Sequence, residues 1–185
     1  YNSALQFIPI SQITGTGGGN QFYSLFRDSK GFYWFGGANG LIRFTDPAGE
    51  RHDAIWYRMG DKTYPLSHNR IRHIYEDKEQ QLWIATDGSI NRYDYATRQF
   101  IHYNIVDNTG TYNTNWTYYI FEDTAGQLWI STCLGGIFVV DKHKLMQSTS
   151  GQYIAEQNYS VHNGLSGMFI NQIIPDNEGN VWVLL

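Results

Sequence analysis

Three stretches concentrate side chains that can grip a polar ligand: Tyr64, His68, Asn69 and Arg70; Tyr112, Asn113, Asn115 and Trp116; and His162, Asn163 and Asn171. An aromatic face beside Asn, Arg or His donors is workable chemistry for a sugar, whose C–H face lies on the ring while its hydroxyls meet the polar groups. The expected ligand-binding set is Tyr64, His68, Asn69, Arg70, Tyr112, Asn115, Trp116, His162 and Asn171. Taken singly, an Asn is also an ordinary turn residue.

Signals for catalysis are thin. The six histidines are scattered, with neither an HxH nor an HExxH spacing, so no zinc site is expected. No G-x-S-x-G elbow occurs. Residues 13–20, ITGTGGGN, are rich in glycine, but they lead into the strand pattern QFYSLF rather than into a helix that would cradle phosphate. Cys133 is the single cysteine, which rules out an intrachain disulfide and reads as a small packed residue. Asn115-Trp116-Thr117 and Asn158-Tyr159-Ser160 match the glycosylation sequon, a short pattern common by chance. No catalytic residue, metal ligand or cofactor is expected.

The bulk properties narrow the class. A chain of 185 residues with 42% hydrophobic and 16% charged residues is globular and long enough for one well-filled core. Its net charge of −4 argues against nucleic acid as a partner, which calls for a basic face. No apolar run approaches the roughly 18 residues of a membrane span, so any membrane attachment belongs to a longer parent chain. The N-terminus lacks the basic-then-apolar pattern of a signal peptide, and the chain reads as an excised piece.

The elements that must position those side chains are repeats. Asp28, Asp77, Asp123 and Asp176 each precede a tryptophan by six residues, namely Trp34, Trp83, Trp129 and Trp182. The tryptophans follow one another at steps of 49, 46 and 53 residues. A glycine stands three after the Asp in three copies (Gly31, Gly126, Gly179), and Gln80 breaks the rule. An Asp that recurs at one structural position points to a turn, where its carboxylate accepts from nearby amides, rather than to a catalytic pair. Each copy reads as an apolar strand, the Asp turn, a strand carrying the Trp, a second turn and two more strands. The second turn carries glycines at 36, 37 and 40, Asp87-Gly88, or Gly135-Gly136, and Asp87-Gly88 is expected to supply positive φ. Helical periodicity is absent, with room for one turn at residues 142–147.

Four short antiparallel strands per roughly 50 residues match a β-propeller blade. Stacked blades cover each other's two apolar faces, and the repeated Trp fills the space between them. The fold class is therefore all-β: a β-propeller fragment with three complete four-stranded blades and partial blades at both ends. The repeats cover residues 21–60, 70–104, 115–160 and, incompletely, 168–185, all within one segment spanning 1–185, with a stray outer strand at 4–10. Such a count does not close a ring. The expected partners are the remaining blades of the parent propeller or a second copy, invited by the open edge at residues 181–185. Loops feeding the first strand of each blade (residues 60–69, 104–115, 161–171) share a rim with the second turns (residues 36–40, 86–88, 132–135). The candidate ligand residues fall there.

The stretches DKEQQLWIATDGSINRYD (residues 77–94) and DTAGQLWISTCLGGIFVVD (residues 123–141) resemble the two-component regulator propeller repeat: an apolar strand, D-x-x-G-x-L-W-I-x-T, a glycine turn and a strand ending R-Y-D. Asn163-Gly164-Leu165-Ser166, followed by Asn171 and an apolar strand, resembles its lead-in. The chain departs from that pattern at Gln80 and at Val139-Val140. The resemblance implies the periplasmic sensor region of a hybrid histidine kinase of the Bacteroides type, ahead of a β-sandwich, a membrane helix and the kinase. It further implies oligosaccharides as signals and dimers as the working form, with no catalytic residues to carry over. The sialidase Asp-box has one residue between Asp and Gly where this chain has two, which argues against a glycosidase. Virginiamycin B lyase has similar D-x-x-G-x-x-W turns on shorter, more uniform blades, and its histidine constellation has no counterpart here. A lyase of that kind and a protein-interaction scaffold are the alternatives.

Overall fold

The recurring Asp builds its own turn. In all four copies Oδ1 accepts from the backbone amides two and four residues on, at 2.8–3.1 Å. Oδ2 accepts from the indole Nε1 of the Trp six residues on, at 2.8–2.9 Å. The residue three after each Asp sits in the left-handed region, at φ 87°, 81° and 89° for Gly31, Gly126 and Gly179 and at 62° for Gln80. Gln80 thus takes the conformation that glycine adopts freely in the other copies.

The computed structural model describes residues 21–45, 54–63, 65–149 and 151–185. The expected strand at 4–10 and the glycine-rich stretch 13–20 lie outside them. The first sheet runs in order through β1 (Phe22–Arg27), β2 (Tyr33–Gly37), β3 (Gly40–Phe44) and β4 (Ile55–Tyr57). The second runs through β5 (Ile71–Glu76), β6 (Leu82–Thr86), β7 (Ser89–Asp94) and β8 (Gln99–Tyr103). A short β9 (Ile105–Val106) follows. The third sheet comprises β10 (Thr117–Glu122), β11 (Gln127–Thr132), β12 (Ile137–Asp141) and β14 (Gln157–Tyr159). Helix α1 (Lys142–Gln147) and β13 (Tyr153–Ile154), which pairs in parallel with β9, are inserted before β14. β15 (Gln172–Pro175) and β16 (Val181–Leu184) form a two-stranded sheet. Pairing within the three four-stranded sheets and the two-stranded one is antiparallel, as in propeller blades.

The sheets stack through their first strands, β1 on β5, β5 on β10 and β10 on β15. One core cluster lies between the first two sheets, with Trp34, Leu41, Tyr57, Leu82 and Tyr93 in it. A second joins the next pair through Trp83, Ile90, Ile120 and Phe138, and a third begins against the last sheet with Phe121, Ile137 and Ile173. Central strands are therefore covered on both faces, which is why β6 reads LWIAT and is buried throughout. Trp34 and Trp83, each followed by a complete sheet, are fully buried, whereas Trp182 is 66% exposed.

Each later sheet also clasps the turn of the sheet before it. Glu76, at the end of β5, accepts from the Ser29 amide at 2.9 Å, and Glu122, at the end of β10, accepts from the Lys78 amide at 2.9 Å. The residue after the third strand reaches back as well. The Tyr95 hydroxyl donates to Asp28 Oδ2 at 2.7 Å, and the buried Lys142 ammonium lies 3.2 Å from Asp77 and 2.7 Å from Glu122. Asp141 caps α1 by accepting from the His143 and Lys144 amides, which fixes Lys142 in the first turn, aimed inward.

The second turn of the second sheet corrects one expectation. Positive φ falls on Ser89, at 81°, and not on Gly88; Gly40 and Gly136 hold the left-handed place in the neighbouring sheets. The Ser89 hydroxyl bonds the Tyr103 carbonyl on β8 and the Thr114 hydroxyl in the next feeding loop, tertiary bonds that hold Ser89 in a conformation glycine adopts freely.

Candidate functional site

The feeding loops and second turns do share one rim, and backbone bonds tie them together. The amides of Ala38, Asp87 and Cys133 each donate to the carbonyl seventeen residues earlier, on Gln21, Arg70 and Trp116. Bonds between blades continue the line: Trp116 N–H to Asp87 O, and Ile170 N–H to Thr132 O, each at 3.0 Å.

The rim presents two residues per blade, five and seven places before the repeat Asp. The first of these is set by a register shift repeated in each complete sheet, between Phe22 and Ser24, Ile71 and His73, and Thr117 and Tyr119. A bulge re-aims the side chain at its centre, here Tyr23, Arg72 and Tyr118. The Arg72 guanidinium lies 4.5 Å from the Tyr118 ring centre, and Tyr118 meets Phe169 edge-to-face at 5.3 Å. Asp87 pairs with Arg72 at 2.7 Å and with Arg70 at 3.8 Å. Burial lowers the pKa of Arg72, but the hydrogen bond and charge of Asp87 raise it further, so the net shift is upward.

Trp116 occupies the seventh place before Asp123. Its φ is 55°, a left-handed backbone on a bulky residue, yet its side chain is 48% exposed. Hydrogen bonds on both sides, N–H to Asp87 O and C=O from Cys133 N–H, hold it there. Its ring borders a cleft of about 470 Å³ lined also by Tyr112, Asn113, Asn115 and the exposed Leu134.

Tyr112 and Thr111 also form a wall of a second cleft, of about 720 Å³. Its far side comes from residues 155–163, including Tyr159 and His162. The insertion of α1 and β13 builds it, because the β9–β13 pairing sets loop 107–112 against the strand leading into β14. Tyr112 Oη and His162 Nε2 are 3.2 Å apart across it. Asp107 orders the loop, accepting from the Tyr112 amide and the Thr109 hydroxyl; burial pushes its carboxyl up, but the Thr109 hydroxyl and the Tyr112, Thr109 and Thr111 amides together hold it below the usual range.

The sequence-based set divides accordingly. Tyr112, Asn115 and Trp116 meet in the first cleft, and Tyr112 and His162 in the second. Arg70 and Asn171 stand at rim positions. His68 and Asn69 line neither cleft: His68 Nδ1 accepts from the Arg70 amide at 3.0 Å and Asn69 Oδ1 from the Met59 amide at 2.7 Å. Tyr64 lies outside the described residues. Arg72, Asp87, Tyr118 and Phe169 were absent from that set, although counting five and seven back from each repeat Asp finds all but Asp87. Among the described residues no three His, Cys, Asp or Glu side chains gather as a metal site.

The two-component regulator propeller family matches residues 16–39 and 65–88, which hold the lead-in and Asp–Trp turns of the first two sheets. The chain carries two-component regulator propeller repeats. A crystal structure of the extracellular domain of BT4673 from B. thetaiotaomicron, described as a candidate hybrid two component system, is 99% identical, with a TM-score of 0.94; the match covers all of this chain and 25% of that one. The extracellular domain of BT3049, described likewise and from the same organism, is 23% identical over 96% of this chain and 23% of its own, with a TM-score of 0.73. The propeller chain thus spans about a quarter of the length of those extracellular domains. Virginiamycin B lyase from Staphylococcus aureus matches at 14% identity and a TM-score of 0.59, covering 88% of this chain and 48% of its own, a likeness of fold alone. A comparison with curated proteins finds no match.

Proposed function

We propose that this chain is a non-catalytic, extracytoplasmic sensor segment, periplasmic in its parent protein. It binds an oligosaccharide at the rim, and the bound state biases the geometry or pairing of propellers, which is passed to a kinase outside this chain. The observation that carries the binding step is Trp116. A strained backbone persists only where its surroundings over-determine it, and such strain clusters at ligand sites. Here it holds an indole in solvent, over a cleft lined by Tyr112, Asn113 and Asn115. That is an aromatic platform with amide groups beside it, suited to a sugar ring. The repeats, and the extracellular two-component domains that share them, support the sensor role.

The test is calorimetric titration of the protein with oligosaccharides from plant and host polysaccharides, with the ligand mass measured before and after. Binding at unchanged mass, weakened at least tenfold by Trp116→Ala, is the expected result. Cleavage of the ligand, or binding indifferent to Trp116, overturns it. Transmission is tested separately, as ligand-dependent autophosphorylation of the parent receptor in membranes.

A further inference from the structure

The two clefts share Thr111 and Tyr112, so they adjoin along one side of loop 107–115. Each falls within the roughly 300–1,000 Å³ that takes one drug-sized ligand. Among the described residues, neither is lined by a lysine or an arginine. The larger is lined instead by two carboxylates, Asp107 and Glu156, with amides and hydroxyls from Asn108, Thr109 and Gln157 among others. The Lys144 ammonium lies 3.6 Å from Glu156 and offsets part of its charge, so Asp107 is the carboxylate against which an anionic ligand would bring like charge.

The polar groups are held before any ligand arrives. Glu156 accepts from the Asp141 amide and the Tyr153 hydroxyl, both at 2.8–2.9 Å. Asn158 donates its side-chain amide to the Gly135 carbonyl at 2.8 Å. Tyr159 stacks on Trp129 at 5.7 Å, and Tyr112 packs on the core between the second and third sheets. Aromatic groups therefore recur along the path, Trp116 first, then Tyr112, then Tyr159, with amides and hydroxyls beside them. Fixed groups of this kind lower the cost of binding.

We infer that the ligand is an uncharged oligosaccharide of more than two sugar units, lying across Tyr112 with one end in the Trp116 cleft and the other in the cleft between loop 107–112 and residues 155–163. This rests on the oligosaccharide reading above and adds its charge class and its length. The Tyr112 ring is the platform common to both ends. The amides and hydroxyls of the larger cleft meet ligand hydroxyls, its two carboxylates accept from them, and Asp107 repels acidic sugars.

The experiment is titration of the protein with size ladders of neutral gluco-, manno-, xylo-, arabino- and galacto-oligosaccharides, beside oligogalacturonate and chondroitin sulfate ladders. At least one neutral ladder is expected to bind, its affinity rising tenfold or more beyond the disaccharide and then levelling, while the acidic ladders bind at least tenfold more weakly. Asn108→Trp fills only the larger cleft and should bring the long chains down to disaccharide affinity. Tyr112→Ala should weaken both lengths, with melting curves confirming that each variant folds. Acidic ladders binding as tightly as neutral ones, or no gain with length, overturn this inference and leave the sensor reading standing. Failure of all the ladders to bind removes both.

Discussion

At the scale of single residues, the repeat Asp does several things with two oxygens. Asp77 accepts from two amides and an indole and faces the buried Lys142 ammonium. Removing it strips a buried cation of one partner and leaves buried donors unmet. We therefore expect Asp77→Ala to cost about 3 kcal/mol or more in urea unfolding. Asp176, whose carboxyl is exposed and is held down to about 2 by Asn180 and Trp182, should tolerate the same change far better. Gln80 makes the opposite prediction. It holds φ 62° where Gly31, Gly126 and Gly179 stand in the other copies. Gln80→Gly should raise stability by up to about 1 kcal/mol, because relief of the left-handed cost outweighs the entropy of glycine. The sequence showed Gln80 as a departure from pattern, but not that the backbone would keep the pattern regardless.

At the scale of elements, the contact between the second and third sheets depends on a neutral imidazole. His73 on β5 stacks on Tyr119 of β10 at 3.9 Å, and its Nδ1 accepts from the Ile120 amide. Burial lowers its pKa to about 4 from an ordinary 6.5. Below 6.5 the unfolded chain takes up a proton that the folded chain refuses. The stability His73 contributes is therefore whole above pH 6.5 and is lost as pH falls towards 4, by at most about 3 kcal/mol. His73→Gln should flatten the stability profile between pH 6.5 and 5, read by thermal melts across that range. Much of this layer was legible beforehand. The strands follow from a fixed Asp-to-Trp spacing and apolar runs, and the period of about 50 residues implies stacking. The clasp was not. Lys142 lies in a stretch read only as one helical turn, and nothing local shows that it reaches Asp77, sixty-five residues away in sequence. The larger cleft was hidden for a similar reason: it needs a parallel pairing of two residues on each side, β9 with β13, too short to leave a pattern. His68 and Asn69 looked like ligand donors because sequence does not tell a side chain turned to its own backbone from one turned to solvent.

At the scale of the whole molecule, the two ends differ from the middle. Trp34 and Trp83 are shut between sheets, whereas Ile174, Trp182 and Leu184 lie open on the last sheet and Leu25 on the first. Apolar area of this kind seeks cover. We expect this chain on its own to self-associate with rising concentration in sedimentation, and Trp182→Ser with Leu184→Lys to restore the monomer; a wild-type chain that stays monomeric would refute this. The direction of the clasps has a further consequence. Glu76 and Tyr95 secure the first sheet from the second, and Glu122 and Lys142 secure the second from the third. The turns of the first two blades are thus closed by their own Asp–Trp bonds but fastened from outside by the successor blade. In a growing chain these two turns gain their outer fastening only after the next blade has been laid down, so their completion runs one step behind synthesis, like a zip whose slider trails the last tooth.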